Sequence, residues 1–314
     1  MATDADFHAL AERMFTLHER GHYLEAIAVV RAAADQFPDR AERTTYWMAC
    51  LHCRLGELDQ AIATLQEGLA RGLWWSPEML GDDPDLAPIR LRVEFATIVA
   101  ACDDRRLAAQ SAAGPDLQVV RPSRPDRQSP LLIALHWRGL HFAVFAAWWR
   151  PAARHSVVVA LPRSSQQLGM HAFGWDDRER ARDEVAAAYV ALCTTESFDP
   201  RKVTLAGASQ GAALAMRLAL AGDLVPATGF IAVVPAIRDP EELAPEIEAG
   251  ARRGIRGWLL TGERDESRHA IEGLHARLTQ AGVSCRLEVV PGLGHDFPAD
   301  FAGRLPAAID FVLG

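Results

Sequence analysis

What this chain of 314 residues lacks narrows its chemistry first. No segment approaches the roughly 18 consecutive apolar residues that a membrane-spanning helix needs. The start, "MATDADFHALAER", is acidic and polar where a secretory signal would be basic and then apolar. A cytoplasmic location without a membrane partner is therefore expected. Lysine is almost missing, with Lys202 alone among 33 Lys and Arg residues, and the arginines form no stripe. The net charge of −8 is dispersed, so a polyanion would be repelled and nucleic acid is not an expected partner. Cys50, Cys53, Cys102, Cys193 and Cys285 are few, odd in number and scattered in apolar stretches, which reads as reduced thiols and not as a disulfide framework. The one close pair, "CLHC" at 50–53, has no second pair to complete a metal site and no preceding strand to suggest redox work. Helix packing is the expected role, and no metal or organic cofactor is implied.

With 49% apolar and 24% charged residues the chain can bury a full core, and its length suits two domains. Residues 1–110 form the first, reading as helices through 5–103 because apolar positions recur at three and four with no β-branched run. "GHYLEAIAVV" (21–30) aligns with "GELDQAIATL" (56–65) at an offset of 35 residues. Two helical hairpins follow, with Gly21 and Gly56 at their turns and Ala26 and Ala61 allowing close helix packing. With Ala33 and Gly68 in the second helices and Pro38 closing the first unit, the pattern resembles the tetratricopeptide repeat. That resemblance implies a helical-repeat domain able to bind a protein partner or to self-associate. No tryptophan or glycine marks the first helix of the first unit, and two units stand where about three are usual, so the array is expected to lean on something. Turn chemistry at Ser76-Pro77 and Asp83-Pro84 precedes a final helix, and Trp74 and Trp75 are expected to seal the last apolar face in preference to binding a ligand.

The stretch 108–130, rich in Pro, Ser, Gly and Arg with one extended run at 117–120, is the expected boundary, and a second domain covers 115–314. There short apolar strands at 131–136, 156–162, 202–208, 228–235, 255–262 and 286–292 alternate with helices near 176–195, 210–221, 266–281 and 299–313. That alternation gives an α/β domain with a mostly parallel sheet covered on both faces, and function in such sheets gathers at the carboxyl ends of the strands.

"GASQG" at 207–211 follows one of these strands and opens a helix. Ser209 there is either an exposed nucleophile on a sharp turn or a small residue allowing helix and sheet to approach; small residues at 207, 208, 211 and 212 favour the first. A serine alcohol needs a base and a carboxylate to orient it. Later strand ends offer Asp265 in "LLTGERDES", with Glu263 and Glu266 as close competitors, and His295 in "VVPGLGHDF". With these motifs in the order Ser209, Asp265, His295, residues 115–314 resemble an α/β-hydrolase of the compact carboxylesterase, phospholipase and thioesterase group. The resemblance implies an oxyanion hole made by the backbone N–H of Gln210 and of Arg138, with Trp137 competing for the second place. The chain departs from the group at "ALHWRGLH", where His136-Trp137-Arg138-Gly139 replaces His-Gly-x-Gly.

Candidate substrate contacts are His136 in that loop and Gln166, Gln167 and Trp175 in the long loop 161–180, which could equally fold on itself. Phe142, Phe145, Trp148 and Trp149 are expected in the core before any acyl-binding role, and the 20 or so residues before the acid strand leave no room for a large cap. The expected activity is hydrolysis of a small-molecule ester or thioester through an acyl-enzyme. A serine peptidase or lactone hydrolase would use the same residues, and the rival from another class is a repeat-type binding protein with a degenerate hydrolase domain.

Overall fold

A computed structural model describes residues 4–112, 116–124, 126–139 and 142–314. The chain separates into two compact units, residues 1–113 with 167–170, and residues 114–166 with 171–314. The boundary expected near 115 falls on 113–115, outside the described residues.

The first unit is helical: α1 (Asp4–Glu19), α2 (Tyr23–Ala33), α3 (Ala41–Arg54), α4 (Leu58–Ala70), α5 (Pro77–Asp82), a 3-10 segment Pro84–Ile89, and α6 (Val93–Ala112). Helices α1/α2 and α3/α4 are joined by turns with the same hydrogen bonds. Gly21 N–H donates to the carbonyl of His18 and His22 N–H to that of Leu17; Gly56 and Glu57 repeat this on Cys53 and His52. Each pair satisfies carbonyls that a helix end leaves without partners, and each turn needs the left-handed backbone found at Gly21 (φ 73°) and Gly56 (φ 78°). The 35-residue sequence offset is thus repeated bond for bond. Ala26 and Ala61 are fully buried where the paired helices touch. Ser76 caps α5 by accepting from Met79 N–H, and Asp83 accepts from Asp85 N–H. Trp74 and Trp75 are both buried in this unit's core, the Trp75 indole donating to the Glu42 carbonyl. Cys50 and Cys53 are buried thiols within α3, and burial raises both above the usual thiol range.

The short strand β4 (Gln167–Gly169) is counted to the first unit, and the second unit holds β1 (Asp116–Val120), β2 (Leu131–Leu135), α7 (Phe142–Trp149), β3 (Val158–Arg163), β5 (Ala172–Phe173), α8 (Arg178–Thr195), β6 (Val203–Ala208), α9 (Gln210–Ala221), β7 (Gly229–Val233), α10 (Ala244–Arg253), β8 (Arg256–Gly262), α11 (Arg268–Gln280), β9 (Ser284–Val290) and α12 (Phe301–Leu313). Its seven-stranded sheet runs β1-β3-β2-β6-β7-β8-β9, parallel except for β1. The extended run at 117–120, read as linker, is this edge strand, antiparallel to β3 from Asp116↔Arg163 to Val120↔Val159.

Side chains of β2 show the two covered faces. Leu131, Ile133 and Leu135 pack with Ala212, Ala215 and Met216 of α9, whereas Leu132 and Ala134 face Phe145 and Trp149 of α7 and Phe301 and Leu305 of α12. Both layers are needed because every residue of β2 is apolar and buried. The pairings Leu135↔Gly207, Ala208↔Val233 and Gly262↔Val290 align the carboxyl ends of these strands along one rim. The chain leaves β2 toward β3 on one side and returns to β6 on the other, so the loops after β2 and β6 flank the switch point where such sheets hold their sites.

Candidate active site

Between the end of β6 and the start of α9 a single residue, Ser209, makes the turn at φ 51° and ψ −118°. A non-glycine residue in that region carries strain of about 1–3 kcal/mol and persists only where its surroundings fix it. Here the backbone is tied on both sides: Ser209 N–H donates to the Val233 carbonyl at 2.9 Å, and its own carbonyl accepts from Ala213 and Ala236 N–H at 3.0 and 3.1 Å. The flanking glycines supply room. A Cβ on Gly207 would lie 2.6 Å from the Gly211 carbonyl carbon, and one on Gly211 would lie 2.2 Å from the Leu135 carbonyl oxygen. The turn closes only because neither position has a side chain.

The Ser209 Oγ lies 2.8 Å from His295 Nε2, and His295 Nδ1 lies 3.1 Å from Asp265 Oδ1. A carboxylate only accepts, so Nδ1 carries the imidazole proton and the Nε2 lone pair faces the serine hydroxyl. Asp265 is buried and held by two further donors, Ser267 N–H at 2.9 Å and Thr261 Oγ1 at 3.1 Å. Glu266 is exposed, and Glu263 is exposed and accepts from Gly292 N–H, so Asp265 is the carboxylate of the three that meets the imidazole. Thr261 and Ser267 were not anticipated from sequence. Nothing in "LLTGERDES" distinguishes a hydroxyl that turns back on the acid from one that faces water.

Gln210 is the first residue of α9, so its N–H has no acceptor within the helix and stands at the positive end of the helix dipole. The loop after β2 approaches from the other side, and its path is set by His136. Ser164 N–H donates to His136 Nε2, leaving Nδ1 to donate to the Trp137 carbonyl, while the His136 carbonyl accepts from the Trp175 indole at 2.8 Å. The imidazole stacks on Trp175 with centroids 4.6 Å apart. Burial lowers the His136 pKa to about 4, so this ring is a neutral strut. Leu140 and His141, which end the quoted "ALHWRGLH", lie outside the described residues.

Of the candidate substrate contacts, His136 is thus buried inside this loop support; Trp175 is buried as well, its indole held by the His136 carbonyl, and it also borders a cavity along α9. Gln166 is also buried, its amide donating to the Asp177 carbonyl and accepting from Asp177 N–H; Gln167 is buried and donates to the Met170 carbonyl. These polar side chains satisfy main-chain groups of their own loop. Phe145 and Trp149 are fully buried in the core, and Trp148 stacks on Phe297 at 5.0 Å. A cavity of 610 Å³ runs along α9, lined among others by Gln210, Trp175, Ala213, Arg217, Ile237 and Glu242; Ser209 and His295 are not among its lining residues.

A family model described as "A/B hydrolase-like, N-terminal domain" matches residues 6–110. No curated protein matches the chain. Among solved structures, the chain is similar to an uncharacterized protein from Bacillus cereus ATCC 10987, at 25% identity and TM-score 0.56 with 97% of each chain covered. It is also similar to esterase PE8, at 21% identity and TM-score 0.53 over 64% of this chain and 100% of that one. A ferulic acid esterase aligns at 14% identity and TM-score 0.52 over 64% of this chain and 93% of that one. The fold is that of an α/β-hydrolase preceded by a helical N-terminal domain.

Proposed function

We propose that this chain, an α/β-hydrolase in fold, hydrolyses a carboxylic ester or thioester through an acyl-enzyme on Ser209. The observation that supports it most directly is the run of contacts from Ser209 Oγ to His295 to Asp265, at 2.8 and 3.1 Å. In this reading His295 Nε2 takes the hydroxyl proton as Oγ bonds to the acyl carbon. The oxyanion is held by the N–H of Gln210 and that of Arg138, with Trp137 the competing second donor. Collapse breaks the bond to the leaving oxygen or sulfur, which departs with the proton returned by His295. Water then adds to the acyl carbon and gives its proton to His295. The second collapse frees the carboxylic acid and restores the Ser209 hydroxyl. Asp265 keeps the imidazole in one tautomer and offsets its charge while it is protonated.

In this reading the 610 Å³ cavity along α9, which adjoins the site at Gln210, takes part of the substrate. A peptidase or lactone hydrolase would share every step, so rates on short esters, long esters, thioesters, lactones and peptides decide the substrate class. The helical repeats are assigned to partner binding or self-association, and pull-down and sizing of the full chain test this. The setting proposed is cytoplasmic, supported by five thiols that stand unpaired; fractionation of the host cell checks it.

Ser209→Ala is expected to lower kcat on p-nitrophenyl acetate at least about a thousandfold with an unchanged melting temperature. A fluorophosphonate is expected to label the parent chain at Ser209 and leave the variant unlabelled. Hydrolysis that survives the substitution overturns the proposal.

A further inference from the structure

Asp176 lies in the loop before α8 with its side chain 43% exposed, yet its carboxylate accepts hydrogen bonds from two other segments. Arg138 reaches it with Nε at 3.0 Å from Oδ1 and Nη2 at 3.2 Å from Oδ2, a two-pronged pairing. Gln210 Nε2 donates to Oδ1 at 2.6 Å. The preceding residue completes the set, because Trp175 N–H donates to Gln210 Oε1 at 2.8 Å. One exposed carboxylate is therefore clamped between the side chains of Arg138 and Gln210, the two residues whose main-chain N–H groups are assigned to the oxyanion.

We infer that Asp176 is a positioning residue that fixes the spacing of the two oxyanion donors by joining the Arg138 and Gln210 side chains on one carboxylate. The inference rests on the hydrolase reading above. Arg138 sits in a loop without the glycine its relatives by resemblance carry, so the main chain there needs holding by other means. A charge-assisted pair with two parallel bonds fixes orientation as well as distance. Oxyanion donors act only within a few tenths of an ångström of the developing charge, so a loosened loop loses transition-state binding more than substrate binding.

A simple charge effect has the opposite sign. Removing an anion near a developing oxyanion, and leaving the Arg138 cation unpaired, would by itself raise the rate. The direction of change thus separates positioning from bulk electrostatics.

The test uses full-length Asp176→Ala and Asp176→Asn, the second keeping an acceptor for Gln210 but no charge for Arg138. On p-nitrophenyl acetate, Asp176→Ala is expected to lower kcat about tenfold to a hundredfold with KM within about twofold, and Asp176→Asn to fall between it and the parent. Affinity for phenylboronic acid, which becomes tetrahedral on Ser209, is expected to fall by the same factor as kcat, while inhibition by acetate is unchanged. Adding Arg138→Ala to Asp176→Ala is expected to cost nothing further, since that contact is already lost. An unchanged or raised kcat overturns the inference, as does a loss confined to KM with boronate affinity unmoved. If the parent chain neither hydrolyses these substrates nor takes a fluorophosphonate on Ser209, the hydrolase reading falls and this inference with it. An active, labelled parent beside an unaffected Asp176→Ala removes the inference alone.

Discussion

The turn between α3 and α4 and the turn between β6 and α9 both depend on glycine, for opposite reasons. At Gly56 the backbone adopts φ 78° and an added Cβ would meet nothing within 4 Å. The requirement there is conformational and lies within a few residues of chain. At Gly211 the backbone is ordinary helix, but a Cβ would lie 2.2 and 2.4 Å from the carbonyl oxygens of Leu135 and His136. The requirement there is spatial and is imposed by a strand more than seventy residues earlier in the chain. One unit uses glycine to let a helix end; the other uses it to let a helix begin against a sheet.

The sharpest challenge to this contrast is Gly211→Ala. Backbone cannot yield as a flexible side chain would, so α9 must separate from β2, and a loss of at least about 3 kcal/mol in urea unfolding is expected, with hydrolysis abolished. An active, equally stable Gly211→Ala would show that the close approach is not needed. A second test turns on His136, which joins β2 to the loop that follows. Its folded pKa of about 4 lies below the ordinary 6.5, so the unfolded chain binds the extra proton. This contribution is fully present above pH 6.5 and is lost as pH falls toward 4, by about 3 kcal/mol in total. Melting temperature followed from pH 7 to 4 should drop, and His136→Gln should flatten that part of the profile. A profile unchanged by the substitution would remove the strut role. The smallest effect belongs to Gly56→Ala, expected to cost only about 1–2 kcal/mol, with Gly56→Asn costing less because asparagine tolerates the left-handed region. Hydrolysis should not change in either. A greater loss at Gly56 than at Gly211 would reverse the contrast.

The same division explains what the sequence disclosed. The hairpin repeat was legible because its constraint is local, and identical local needs leave identical residues 35 positions apart. The sharp turn at Ser209 was legible because a strand, small residues and a helix are contiguous in the chain. Gln166 was misleading: a polar residue in a polar loop looks available to a substrate, whereas its amide is spent on Asp177. Asp176 was invisible beside Asp177, since two adjacent aspartates read alike. Only the fold gives Asp177 to the N-terminus of α8, where it accepts from Arg180 N–H, and Asp176 to Arg138 and Gln210. The edge strand β1 was hidden for a related reason, because its partner β3 lies about forty residues on and its own surroundings carry the Pro and Ser of a linker.

Eighty-six residues separate the alcohol from the ring that faces it. A ribosome therefore delivers the β6–α9 turn long before β9 and the segment carrying His295 have emerged. Until that later segment is made and docks, the Ser209 hydroxyl has no imidazole facing it. On the proposed reading, a product cut short between the two would hold the alcohol in its turn and lack the base that takes its proton.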